Sequence, residues 1–101
     1  MRSVDLAIYA DTLAAEAAGA AARIERARSR LRESAIELEA RRALARGTVE
    51  RLERLGLLRP ADEARLGTEL RRLEADLEAL EELQGWVEER LARVASDACP
   101  T

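Results

Sequence analysis

Leu66, Leu70, Leu73, Leu77, Leu80, Val87, Leu91 and Val94 recur at alternating steps of four and three residues, with Gln84 in the one polar slot. On an α-helix that spacing puts every one of them on a single stripe, and over four heptads it predicts a long amphipathic helix rather than a strand. A weaker stripe of the same spacing runs through Leu13, Ala17, Ala20, Ile24, Ala27, Leu31, Ser34, Leu38, Ala45, Leu52 and Leu55, with Arg41 and Thr48 intruding at seam positions. Two such stripes need each other, because a helix with one apolar face is stable only when that face is covered. Composition agrees: Ala, Leu, Glu and Arg fill about two-thirds of the 101 residues, and Phe and His are absent. That bias belongs to long helices and coiled coils and argues against all-β or α/β architectures.

Between the stripes lies Leu55-Gly56-Leu57-Leu58-Arg59-Pro60-Ala61-Asp62-Glu63. Gly56 suits the left-handed position after a helix end, Pro60 the first turn of a new helix, and Asp62 and Glu63 its electropositive start. The expected fold is all-α: a single domain over residues 1–101, built as an antiparallel, coiled-coil-like two-helix hairpin that assembles into a helical bundle. Helix 1 is expected over about 3–55 with Ser3 as its cap, the turn over 56–59, helix 2 over about 60–96, and a tail at 97–101. Gly47-Thr48 offers an alternative break, with Thr48 capping a short middle helix.

A direct hairpin at Gly56 implies a register. It sets Leu38 against Leu80, Leu31 against Val87, Ile24 against Val94, and Ser34 in one layer with Gln84. Charge supports that alignment: residues 23–32 hold five Arg and one Glu, whereas residues 74–89 hold seven acids and no base. The same register leaves roughly 16–18 residues of helix 1, about 25 Å, beyond the end of helix 2. This overhang carries Leu6, Tyr9 and Leu13 ahead of an Ala-rich run. Ile36, Leu83 and Trp86 fall off the seam, with Ile36 level with Leu83. Leu6, Tyr9, Leu13, Ile36, Leu83 and Trp86 are therefore the expected interface toward a second copy or a protein partner, since large apolar side chains left in water mark such surfaces.

The chain lacks the usual materials of catalysis. Without His there is no ordinary neutral-pH base, no His ligand for zinc or iron, and no Glu-x-x-His pair for a di-iron bundle. No glycine-rich phosphate loop and no nucleophile beside a base is present. The expectation is a non-enzymatic interaction module, an adaptor, chaperone or assembly factor, with no cofactor and no metal. A lone cysteine, Cys99, in a fraying tail fits a reducing compartment, so a cytoplasmic location is expected. Asp5, Asp11 and Glu16 interrupt the only apolar run near the N-terminus, so no membrane association is expected. The alternative function is a small DNA-associated regulator using Arg23, Arg26, Arg28, Arg30 and Arg32 on phosphates. The net charge of −3 and the absence of Lys argue against nucleic acid as partner.

Overall fold

The computed structural model describes residues 2–60 and 62–98. Among them the chain forms three helices and no strand: α1 at Ser3–Ala43, α2 at Arg46–Arg54 and α3 at Glu63–Ala98. The fold is all-α, and the long helices α1 and α3 pack against each other as a hairpin. Helix 1 does not run on to residue 55. It stops at Ala43, short of the Gly47-Thr48 step considered as a break, and both Gly47 and Thr48 lie inside α2. Helix 2 begins at Glu63 rather than Pro60, because Asp62 is its cap: the Asp62 carboxylate accepts the Arg65 N–H at 3.0 Å, and its carbonyl accepts the Leu66 N–H. The helix continues into what was expected to be tail, through Ala98. Cys99 lies outside the described residues.

Contacts divide the chain into two compact units, one formed by the segment up to Arg23 with the segment from Leu73, the other by Ile24–Arg72. In the first unit Leu6 and Leu13 of α1 are buried in one apolar cluster with Val87 of α3, and Ala10, Leu80, Leu83 and Leu91 pack against it. The expected pairing of Leu31 with Val87 and Leu38 with Leu80 is not formed. Val87 instead meets α1 about five to seven helical turns nearer the N-terminus. No overhang remains: the segment expected to project beyond helix 2 is the α1 half of this unit, and Leu6 and Leu13 are 2% and 5% exposed.

The second unit explains the difference. After Ala43 the chain reverses within two residues, and α2 returns along α1 instead of extending it. Arg41 reaches Glu53 at 2.6 Å and the Arg59 carbonyl at 2.8 Å, while Arg59 reaches Glu33 at 2.6 Å and Glu37 at 3.5 Å. The residues that a direct hairpin would have used as the last turns of helix 1 form this return. α3 consequently starts beside Arg30, which shares a groove with Pro60, Asp62 and Leu66. α2 ends in a Schellman arrangement: Gly56 at φ 75° donates to the Glu53 carbonyl, and Leu57 donates to that of Leu52. Gly56 thus occupies the left-handed position expected of it.

Ser34 is fully buried and its Oγ has no hydrogen-bond partner among the described residues. A buried hydroxyl left unpaired costs more than the group returns. Ser34→Ala is expected to stabilise the chain by about 1 kcal/mol in urea unfolding; a loss of stability would mean that the hydroxyl is bonded.

Candidate interaction surface

The buried and half-buried positions of α1 include residues 6, 10, 13, 17, 20, 24, 27, 31, 34, 38 and 41, and those of α3 include 66, 70, 73, 77, 80, 84, 87, 91 and 94. Several large apolar side chains off these stripes, Val4, Ile8, Tyr9, Ile36 and Trp86, stay exposed. Of the six apolar residues expected at an interface, Leu6 and Leu13 lie in the chain's own core, and Leu83 is half-buried against it. Tyr9, Ile36 and Trp86 are exposed, at 44%, 66% and 48%. Trp86 is not bare, since the Arg90 guanidinium lies 5.7 Å from its ring centroid, within range of a cation–π contact. The structure brings Leu6, Leu13 and Leu83 together. Leu83 owes its place to the cluster of the first unit, whereas Ile36 belongs to the second, where it lines a groove with Gly56 and Leu57.

That groove, about 410 Å³, is also lined by Glu33, Glu37 and Arg59. Leu55 and Leu57 are each 65% exposed and Leu44 is 43% exposed, so the second unit carries four uncovered large apolar side chains around the ends of α2. α2 itself buries no residue, although Val49 and Leu52 are half-buried. Leu58, just past its C-terminus, is the apolar anchor of this segment at 7% exposure. Reading Leu55-Gly56-Leu57-Leu58 as a bare turn misses both the exposed pair and the anchor. Arg41, a guanidinium at a seam position, interrupts the apolar stripe just before α1 ends, but the spacing resumes beyond it at Ala45 and Leu52.

Beside the groove, Glu37 is nearly buried and takes two cations, Arg30 at 3.3 Å and Arg59 at 3.5 Å. The Arg59 guanidinium is held above its ordinary range, chiefly by its hydrogen bond to Glu33, with the nearby Glu37 carboxylate adding to this and desolvation opposing it. A second groove, about 480 Å³, is lined by Arg30, Asp62, Arg65 and Glu69 among others. Several of its charged groups are already engaged: Arg30 on Glu37, Asp62 on the Arg65 N–H, and Glu69 on Arg72, whose hydrogen bond holds the Glu69 carboxyl below the usual range.

The five arginines of residues 23–32 do not form one basic face. Arg30 is half-buried on Glu37 and Arg32 is paired with Glu25 at 3.1 Å. Arg23, Arg26 and Arg28 are exposed. Among the described residues no group of three or more His, Cys, Asp or Glu side chains is placed to hold a metal ion, and no helix is long and apolar enough to cross a membrane. Comparison with protein-family models, with curated proteins and with solved structures finds no match to this chain.

Proposed function

We propose that this chain is a non-enzymatic helical interaction module of the cytoplasm, an adaptor, chaperone or assembly factor that self-associates in the manner of a coiled coil and docks helix faces onto a protein partner. The observation that carries the reading is the set of uncovered side chains around α2, Ile36, Leu44, Leu55 and Leu57, which no part of the described chain covers. Covering one large apolar side chain is worth about 1.5–3 kcal/mol, so a partner that covered several would bind with useful affinity. Charge favours a second copy as one such partner: residues 24–72 hold 13 Arg against 9 acids, and the rest of the chain holds 4 Arg against 11. Opposite signs on separate segments of one chain attract copies of it to one another.

The test is sedimentation equilibrium over a concentration series, with circular dichroism as a check on folding. The unaltered chain is expected above the single-chain mass. Ile36→Ser with Leu57→Ser is expected to weaken association tenfold or more without loss of helix, and Trp86→Ala, on the other exposed surface, less. A single-chain mass at every concentration overturns self-association. The second reading, DNA association, keeps the exposed Arg23, Arg26 and Arg28 in its favour; it requires a salt-sensitive mobility shift that Arg23→Gln, Arg26→Gln and Arg28→Gln abolish.

A further inference from the structure

Leu44 and Ala45 separate α1 from α2, and nothing in their chemistry asks for a break there. Leu and Ala are among the strongest helix formers, and neither a proline nor a glycine stands between the two helices. Ala45 sits at φ −62° and ψ 145°, and no side chain caps the α2 N-terminus. Its φ is already helical, so rotation about ψ is the main change that returns this residue to a helix. The heptad phase also crosses the break, since Leu31, Leu38, Ala45 and Leu52 are spaced by sevens. What holds the bend is remote from it: the Leu58 anchor, the Arg41–Glu53 pair, and Arg59 on Glu33 and Glu37. Local preference and tertiary contact therefore pull this segment in opposite directions.

We infer that the face of α1 around Ser34 and Glu37 is an interaction surface for residues 46–60 of a second copy of this chain, reached when Ala45 turns helical and α1 and α2 join. The inference rests on the self-association proposed above. The occupant is a second copy because the groups to be matched are the chain's own: Arg41 regains a Glu53, Glu33 and Glu37 regain an Arg59, and Leu58 refills the place it left. Exchange of identical segments repeats every such contact between copies, and α3, which follows residue 60 in the chain, is exchanged with them, so the change in conformation is confined to the hinge. At the hinge there is a return, because a joined helix pairs the backbone groups that the ends of α1 and α2 leave without helical partners.

Two experiments test it, each on chains refolded from denaturant at high concentration. Arg46→Pro suits the bent form: position 46 is the first residue of α2, where proline is tolerated, and the residue before it is already extended. Arg46 is 95% exposed, with one pair to Glu50 at 3.5 Å, so little else is lost. In the joined helix the same proline is internal, and dimerisation is expected to weaken roughly a hundredfold or more while the single chain keeps its helicity. The second experiment mixes an Arg59→Glu chain with a Glu33→Arg, Glu37→Arg chain. Either alone sets like charges together, whether its contacts close within the chain or with an identical copy. Exchange between the two restores opposite charges at both sites, so the mixed dimer is expected to exceed each homodimer tenfold. An unaltered chain that dimerises, with Arg46→Pro dimerising equally well and no mixed-dimer preference, overturns the exchange while leaving self-association standing. A chain that stays single at every concentration overturns both.

Discussion

Leu13→Ala is expected to destabilise the chain by about 2–5 kcal/mol, because Leu13 is one of the three residues around which the apolar cluster of the first unit is built and a buried leucine leaves both lost transfer energy and a cavity behind. The size of that loss separates two registers. Had the hairpin turned directly at Gly56, Leu13 would lie on an unpaired overhang and its truncation would change stability by less than about 0.5 kcal/mol. Tyr9, four residues before it and 44% exposed, is expected to behave in that milder way when replaced by Ala. A double-mutant cycle sharpens the test: Leu13→Ala and Val87→Ala share one cluster and should couple by about 0.5–3 kcal/mol. Leu31→Ala and Val87→Ala should add independently. Urea unfolding of the single and double variants supplies every number needed, and coupling between positions 31 and 87 with none between 13 and 87 would reinstate the direct hairpin.

Leu58→Ala is expected to release α2. Among the described residues between α1 and α3, Leu58 is the one buried apolar residue, while α2 buries none of its nine residues. A helix of that length has no independent stability in water, since nucleation costs more than so few hydrogen bonds return. The ion pairs Arg41–Glu53 and Arg59–Glu33 are about half exposed on at least one side, and such pairs contribute about 0–1 kcal/mol each. Removing the anchor should cost about 2–5 kcal/mol, with hydrogen exchange showing where. Amides of Arg46–Arg54 should lose protection, and those around Leu6, Leu13 and Val87 should keep it. Unchanged protection across α2 would mean that the ion pairs, not Leu58, hold it in place.

Both expectations follow from the same structural fact: α1 ends twelve residues earlier than its apolar phase does. The uncovered side chains of the second unit arise there as well. Leu44, Leu55 and Leu57 flank a short helix that returns along a longer one, and the return is held by one apolar anchor, Leu58, with a band of arginine and glutamate beside it. A segment held by a single apolar anchor and carrying uncovered apolar area is suited to rearrangement on meeting a second surface, which is the physical content of the proposed interaction role.

The sequence alone determined that the chain is helical, most of the side chains that line the stripes of α1 and α3, and the turn at Gly56. Heptad spacing is a property of one helix, and the left-handed Gly56 and the acidic helix start at Asp62 each act over about four residues, so all of these are legible from local order. Leu73 and Val87 on α3, and Ala20, Ile24 and Ser34 on α1, are buried where the spacing placed them. The register was not legible, because a seam that repeats every seven residues reads the same after a shift of whole heptads. The break at Leu44-Ala45 was not legible either, because two good helix formers carry no stop signal. Only the tertiary structure decided it: when the chain bends, Leu58 is buried, and Glu53 and Arg59 gain partners on α1 that lie 12 and 26 residues away in sequence. Together these gains outweigh the helix turns given up. With that bend decided, Leu6 and Leu13 pass from expected interface to core, while Ile36, Leu44, Leu55 and Leu57 stay uncovered in the second unit.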